Sequence, residues 1–398
     1  MQQITLVGMG ASAATLTAEA ADALRGAVRI VGARRLLSAL PRGLTTDQVA
    51  AARADDVLAA VLEAPGPCVA LYSGDTGFYS GAAGLLERLA QKNLSARVLP
   101  GISSVQLLAA RLGRPWQDWS LVSAHGIPCD PVAAVCGGQP VLFLTGGKGT
   151  GPADLCARLA EAGLDQLPVT VGENLACPGE AITTGTAGEL AGRTFDSLAV
   201  LLAEPAPRAP SRTPGWPNET FTRAEAVPMT KQAIRAQVLA KLAVRPGETV
   251  WDIGAGTGSV SLELAFANGG APVWAVECLP EACALIRENR RRLGGWNVRV
   301  VEGRAPAALA GLPAPDAVFI GGTRGEMADI LAAVYRANPA ARVCITAVTV
   351  ETLAAAVAGL TALGRTAQVS QIGAAHTGGG KVHLFRAENP IFIITAQG

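Results

Sequence analysis

The chain has 398 residues, 49% of them hydrophobic and 4% aromatic, and 33 basic against 32 acidic side chains leave a net charge of +1. That length is enough for two or three domains, each burying its own core. The balanced charge, with no evident concentration of Lys and Arg, argues against nucleic acid as the main partner.

Mean hydropathy is positive, yet charges, Pro or Gly interrupt every apolar run before the roughly 18 residues a membrane span requires. The opening "MQQITLVGMG" lacks a basic leader and reads as a first strand, so a cytoplasmic chain is expected. Eight cysteines are scattered without any C-x-x-C spacing, so neither a disulfide framework nor a metal site is expected.

In chain order, short apolar runs alternate with helical patterns over residues 1–203, the first expected domain. Strands are predicted at Ile4–Val7, Val28–Val31, Cys68–Tyr72, Arg97–Leu99, Leu121–Ser123, Val141–Leu144, Val169–Val171 and Leu198–Leu202. The stretch "EPAPRAPSRTPGWPNE" from residue 204 is dense in proline, which disfavours helix and sheet alike, so residues 204–222 are read as a linker. A second domain, 223–398, restarts with a helix near Thr230. Strands are predicted at Thr249–Ile253, Val273–Glu277, Val298–Val301, Ala317–Ile320 and Arg342–Ala347. Helices Gly258–Ala267, Glu281–Arg292, Gly325–Arg336 and Val350–Leu363 fill the gaps. Alternation of this kind gives an α/β fold with parallel crossovers. Three last strands, Ala367–Gly373, Lys381–Arg386 and Ile391–Thr395, can close an antiparallel edge.

Two glycine-rich turns stand out. In the first, "VGMGAS", Gly8, Gly10 and Ala13 form a G-x-G-x-x-A that a dinucleotide site would also use. The second strand then leads to Gly32 and Arg34 instead of an acid, which leaves NADP open through its 2′-phosphate. Farther on, "LYSGDTGFYSG" puts Ser73, Gly74 and Asp75 at the carboxyl end of a strand. "PGISSVQLLAA" puts Pro100–Gly101 before a helix opened by Ser103 or Ser104.

In this order the three segments resemble the tetrapyrrole methyltransferase family (class III S-adenosylmethionine enzymes) over most of residues 1–203. The resemblance implies two α/β subdomains and an S-adenosylmethionine (SAM) site including Gly8, Met9, Gly10, Ser73, Gly74, Asp75, Ser103, Ser104 and Thr145. The chain departs from the family at Ala11-Ser12, where Pro-Gly is usual, and at Thr76, where Pro is common. Asp75 also fits a turn-forming role bound to its own backbone. His125, in "SAHG", follows a strand and is a candidate for lining the cleft, as a substrate contact or structural group before a catalytic one.

In the second turn, "WDIGAGTG", a strand ends on Asp252 and is followed by Gly254, Gly256 and Gly258. No Lys follows, as a phosphate loop needs, and the third glycine comes one residue early for a dinucleotide fingerprint. The remaining pattern, [DE]-x-G-x-G-x-G, resembles motif I of class I SAM methyltransferases. It implies cofactor contacts from Asp252, Gly254, Ala255, Gly256, Thr257 and Gly258. Glu277 ends the next strand, where a carboxylate can take both ribose hydroxyls. Arg304 and Ala305, in "VEGRAPAAL", follow the third strand, where this fold commonly meets adenine.

The fusion as a whole resembles the decarboxylating precorrin-6Y methyltransferase family of cobalamin biosynthesis. Its C-15 half is matched by "VPMTKQAIRAQVLAKL", with Thr230 beside the cofactor, and by the terminal "ENPIFIITA". The resemblance implies methylation of a precorrin at C-5 by the first domain. The second domain would methylate C-15 and decarboxylate the ring C acetate. Each domain would hold one SAM.

A polyacidic macrocycle calls for cations in both clefts. Arg324, in "IGGTRGEM", is expected to clamp a carboxylate, with Lys231 and Arg304 as further candidates. The run "RENRRRL" from residue 287 reads as a solvated helix face. His376 precedes a glycine-rich stretch that would be a closing loop or a plain hairpin. Two rivals remain at this level: an NADP-dependent oxidoreductase fused to a methyltransferase, and a non-catalytic tetrapyrrole or SAM sensor. A homo-oligomer is expected, without nucleic-acid or membrane partners.

Overall fold

The structure is a computed structural model that describes residues 3–208, 214–377 and 383–397. They form two compact units. The first runs to Cys129 and adds Gln139–Ala160 and Asp165–Glu204; the second holds everything from Pro205 together with Asp130–Gly138 and Glu161–Leu164.

The first unit has two sheets. β1 (Ile4–Gly8), β2 (Arg29–Gly32), β3 (Gln48–Ala50), β4 (Cys68–Tyr72) and β5 (Arg97–Leu99) lie in the order β3-β2-β4-β1-β5. All of their pairings are parallel. The runs "ITLVG" and "CVALY" are apolar at nearly every position and so suit central strands covered on both faces. Leu6 and Ala70 pack on one side and Val7 and Leu71 on the other.

The second sheet joins β6 (Ser120–Ser123), β7 (Val141–Leu144), β8 (Pro168–Glu173), β9 (Ala181–Thr186) and β10 (Ala199–Ala203) in the order β6-β7-β10-β8-β9. Only β6 and β7 run parallel. β3 and β9 escape the sequence reading because they are edge strands, "QVA" and "AITTGT", with no buried positions to give an apolar signal.

The second unit has one seven-stranded sheet. β11 (Val250–Ile253), β12 (Val273–Glu277), β13 (Val298–Glu302), β14 (Ala317–Ile320) and β15 (Arg342–Ala347) are parallel neighbours. Alternate side chains enter opposite cores, Val250 and Phe319 one, Trp251 and Ile320 the other.

The closing strands correct the sequence reading. β16 (Gln368–Ile372) is the edge, and β19 (Ile391–Ala396) inserts antiparallel between it and β15, giving β13-β12-β11-β14-β15-β19-β16. Hydropathy explains the order: Ile393 and Ile394 are buried in opposite cores, whereas "QVSQI" keeps much of its length exposed. The expected strand Lys381–Arg386 is not part of this sheet. Within its described part only β18 (Phe385–Ala387) forms, paired with β17 (Ala375–Thr377) as a separate ribbon. Residues 378–382 lie outside the described residues.

The proline-rich stretch is a second correction. On its carboxyl side Trp216 and Phe221 are core residues of the second unit, stacked with ring centroids 6.0 Å apart. Proline density hid them, since it removes the periodicity on which core residues are recognised. No helix among the described residues is long and apolar enough to cross a membrane.

Candidate active sites

In the first unit the loops after β1, β4 and β5 converge at the carboxyl ends of the strands, where open α/β sheets hold ligands. They meet backbone to backbone. A Cβ on Gly8 would lie 2.6 Å from the Gly101 amide nitrogen and 2.7 Å from the Gly74 carbonyl, and one on Gly101 only 2.2 Å from that carbonyl. Gly10 and Gly74 exchange backbone hydrogen bonds of 3.1 and 2.9 Å. The glycines therefore accommodate each other's backbone. Gly8, Met9 and Gly10 are not on the cleft wall: Met9 is buried and its amide bonds the Tyr72 carbonyl at 2.8 Å.

The dinucleotide reading also loses its basis here. A pyrophosphate fingerprint needs a helix to start inside the glycine turn. The turn instead leads to a single 3-10 turn, and the helix begins only at Ala18.

The cleft above these loops has a volume of about 430 Å3. Ser73, Gly74, Asp75, Ser103, Ser104, Thr145 and His125 all line it. Asp75 binds its own turn and the next loop: one carboxylate oxygen accepts from the Gly77 amide at 2.8 Å, the turn-forming role expected, and the other from the Gly101 amide at 3.1 Å. Ser103 caps the helix Ser104–Leu112, with its amide and hydroxyl on Gln106 Oε1. His125 donates from Nδ1 to the Thr145 carbonyl at 3.2 Å, while the Thr145 hydroxyl donates to the Ala199 carbonyl. Thr76 stands in for the usual proline by donating to the Leu99 carbonyl at 3.3 Å.

The sequence reading missed the apolar walls, Phe78, Tyr79, Ile102, Ile127 and Leu198. Phe78 and Tyr79 stand inside a quoted motif and could have been named. No Lys or Arg among the described residues lines this cleft, which corrects the expectation of cations in both.

In the second unit the sheet order reverses between β11 and β14, and a cleft of about 220 Å3 opens beyond the carboxyl ends of β11 to β14. Thr230, Gly254, Ala255, Gly256, Glu277, Arg304, Ala305 and Arg324 line it together. A Cβ on Gly254, where φ is +73°, would come within 2.5 Å of the Gly322 carbonyl, so the motif glycine is demanded by the Gly321–Gly322 loop crossing it. Glu277 is fixed by backbone amides: Gly256 donates to Oε2 at 3.0 Å, Cys278 and Leu279 to Oε1 at 2.8 and 2.9 Å.

Asp252, Thr257 and Gly258 sit below the cleft surface. Asp252 is fully buried and accepts from the Ser261 hydroxyl; burial pushes its pKa up to about 7. Its Oδ1 and the Thr257 hydroxyl are buried without a protein partner. Gly258 packs on Ile286 and opens the helix Ser259–Ala267.

The set fits a SAM nucleoside. Glu277 is a fixed carboxylate at a strand end, Gly254–Gly256 form a floor without side chains, Gly303–Ala305 supply a backbone edge, and buried polar atoms lie beneath the loop.

Of the candidate cations, Arg324 lies on the cleft with φ +50° and no acidic partner among the described residues. Arg304 is held by Glu326 at 2.9 Å and donates to the Arg324 carbonyl at 3.3 Å, so it braces the loop that carries Arg324. Lys231 is not on the cleft and faces Glu388 at 4.0 Å. His376 faces the same Glu388 at 3.8 Å. In the basic run, Arg287 pairs with Glu302 and Arg292 donates to the Thr222 hydroxyl. Arg290 departs from the solvated reading, since burial beside other arginines lowers its pKa to about 10.

The support missed altogether is Arg235. It is fully buried, pairs with Glu263 and donates to the carbonyls of Thr230 and Trp216. It thereby holds the cleft residue Thr230 and the tryptophan segment together. A basic residue inside a helical pattern gives no sign of that role.

Comparison with known proteins divides the chain in the same way. Residues 3–191 match the tetrapyrrole (corrin/porphyrin) methylases, and residues 220–397 match the precorrin methyltransferase domain. A precorrin-6Y C(5,15)-methyltransferase (decarboxylating) of Sinorhizobium sp is 39% identical over 290 residues, 72% of this chain and 69% of that protein. One of the same name from Mycobacterium tuberculosis is 31% identical over 368 residues, covering 88% and 89%. A probable cobalt-precorrin-6B C(15)-methyltransferase (decarboxylating) of Pyrobaculum calidifontis is 42% identical over 190 residues, 47% of this chain and 97% of that protein.

Proposed function

Because the chain belongs to the family of decarboxylating precorrin-6Y C(5,15)-methyltransferases, we propose that it methylates a precorrin at C-5 in the first unit and at C-15 in the second, with loss of the ring C acetate as carbon dioxide. The observation that carries the reading is that each of the two compact units builds a cleft from its own residues alone. The Pyrobaculum relative bears C-15 methylation and decarboxylation in its name at just under half of this length, which supports giving both steps to one unit.

When bound, SAM supplies a methyl carbon on a cationic sulfur, open to displacement by an electron-rich ring carbon. The chain's own task is then to hold and align. In the second cleft Glu277 takes the ribose hydroxyls on lone pairs that the amides of Gly256, Cys278 and Leu279 leave free. Thr230 and the Gly303–Ala305 segment bound the same site. Arg324 grips a substrate carboxylate in a charge-assisted pair. Alignment of this kind lowers a barrier by at most about 7–11 kcal/mol, and it requires no nucleophilic side chain. For the decarboxylation the same grip orients the macrocycle. The C–C bond to the departing carboxylate breaks, and its electron pair neutralises the ring that methylation at C-15 has left cationic. Carbon dioxide leaves, and the exocyclic carbon takes up a solvent proton as the ring releases one.

In the first cleft Ser73–Asp75, Ser103–Ser104 and Thr145 face the donor side, with His125 as a substrate contact. Cys68, Cys136, Cys156 and Cys344 are buried thiols without disulfides, each with its pKa raised by burial to about 11 or 12. That state fits a reducing compartment, the cytoplasm.

The test is incubation of the full chain with precorrin-6Y and SAM carrying a 13C methyl, with the products read by NMR and mass spectrometry. Label at both C-5 and C-15 with loss of one carbon dioxide is expected. A macrocycle without label would mean a sensor. Tight binding of NADPH to the chain would revive the oxidoreductase.

A further inference from the structure

The first cleft poses a question of charge. Its walls are largely apolar, with Phe78, Tyr79, Ile102, Ile127 and Leu198, and among the described residues its only acidic or basic members are Asp75 and His125. Asp75 is occupied by the Gly77 and Gly101 amides, and His125 by the Thr145 carbonyl through Nδ1. A flat macrocycle can lie on such walls, but its acetate and propionate groups find no cation there. Carboxylates moved from water onto apolar surface without a partner carry a heavy desolvation cost.

A cation does stand at the rim. Arg35 belongs to the first turn of the short helix Arg34–Ser38, directly after β2. β2 is the neighbour of β4, and β4 runs into Ser73. One guanidinium nitrogen of Arg35 donates to the Ser73 hydroxyl at 3.3 Å, and Ser73 lines the cleft. Among the described residues Arg35 has no carboxylate within ion-pair distance, and its neighbour Arg34 has none either. Most arginines around them do, as in Arg29–Asp47, Arg88–Asp55 and Arg97–Glu19. Two adjacent arginines without an ion-pair partner among the described residues stand at the carboxyl end of a parallel sheet, one of them touching the cleft wall, and add positive charge at this rim.

Resting on the reading of this cleft as the C-5 site, we infer that Arg35 is its substrate-carboxylate subsite. Its guanidinium leaves the Ser73 hydroxyl, or shares it, to pair with an acetate or propionate of the macrocycle, and Arg34 adds to the field. The planar fork suits a carboxylate bidentately, which lysine cannot reproduce. The subsite sets binding and orientation and makes no bond to the reacting atoms.

The chain carries its own control, because C-15 is methylated elsewhere. With the full chain, precorrin-6Y and 13C-methyl SAM, label at C-5 and at C-15 is followed separately in R35A and R35K. In R35A the KM for C-5 labelling rises about tenfold or more with kcat within twofold, R35K recovers part of the loss, and the C-15 constants stay at wild-type values. Both variants retain the wild-type melting temperature. A C-5 KM within twofold of wild type in R35A overturns the subsite, as does a fall in kcat alone that R35K does not repair. If the wild-type chain itself places no label at C-5, the reading of the first cleft fails, and the subsite with it.

Discussion

Arg235 and Glu263, both buried, meet at 2.8 Å in the second unit, and between them they anchor the Gly215–Trp216 segment and the cleft-forming Thr230. Glu263 accepts from the amides of Gly215 and Trp216 at 2.6 and 3.0 Å, and Arg235 donates to the carbonyls of Trp216 and Thr230. Burial lowers the pKa of Arg235, and Glu263 offsets part of that shift. Removing one partner of such a pair leaves the other charge buried and uncompensated, at about 3–5 kcal/mol.

Glu263→Gln preserves the shape and removes the charge. It is expected to destabilise the second unit by about 3–5 kcal/mol, read as a lower denaturant midpoint, and to weaken S-adenosylhomocysteine binding to that unit through Thr230. A midpoint within about 0.5 kcal/mol of wild type would mean that solvent reaches the pair.

The buried carboxyl of Asp252 gives a pH signature. Its pKa is pushed up to about 7 by burial, with Glu277 adding to the rise, whereas in an unfolded chain it titrates near 3.9. Between those values the folded state holds a proton that the unfolded state has released. Stability therefore falls as pH rises from about 4 to about 7, then levels off. The full difference is on the order of 4 kcal/mol. Asp252→Asn should remove this component, so the stability of the variant relative to wild type should improve steadily across that window in urea titrations. A constant difference from pH 4 to pH 8 would show that Asp252 ionises normally in the fold.

The two glycine crossings predict separable lesions. Gly101→Ala would press a Cβ to 2.2 Å from the Gly74 carbonyl in the first unit, and Gly254→Ala to 2.5 Å from the Gly322 carbonyl in the second. Neither carbonyl can retreat without moving a cleft loop. Overpacking of this sort costs about 1–3 kcal/mol. In 13C-methyl labelling, Gly101→Ala should cut C-5 methylation at least about tenfold and spare C-15, and Gly254→Ala the reverse. Loss of both labels from either change would contradict independent clefts.

These residues also show what the sequence could and could not say. The central strands were legible because they are apolar throughout; Cys68–Tyr72 and Val273–Glu277 begin and end where predicted. The motif loops were legible by spacing, and part of each lines a cleft, while Gly8–Gly10 in the first unit and Asp252, Thr257 and Gly258 in the second stand behind the walls. The role of each glycine was not, because whether a missing Cβ serves a ligand or another loop depends on contacts some 70 to 90 residues away, Gly254 on Gly322 and Gly8 on Gly101. The partners that fix function through burial, Arg235 and Glu263, look in sequence like any exposed helical charges. The insertion of β19 could not be read from strand count alone, since it depends on which of two strands has two faces to bury.

Arg324 is the most direct test of the second cleft. It lies in the left-handed region at φ +50°, where a non-glycine residue is uncommon, and its backbone is braced by Arg304, itself held by Glu326. A strained position persists only when the surroundings hold it, and here they present a guanidinium to the cleft wall. Arg324→Ala should therefore raise the KM for C-15 methylation by about 10- to 100-fold, the equivalent of the 1.5–3 kcal/mol typical of a hydrogen bond to a charged group. S-adenosylhomocysteine affinity should be unchanged, because the contacts proposed for the donor are Glu277 and the glycine floor. Glu326→Gln should give a smaller rise by loosening Arg304. Arg324→Gly is the discriminating variant: it relieves the backbone and removes the charge, so it should gain thermal stability while losing substrate affinity like the alanine form. Equal loss of donor and substrate binding in Arg324→Ala would show that the residue shapes the loop, and the carboxylate clamp would have to be sought elsewhere on the wall.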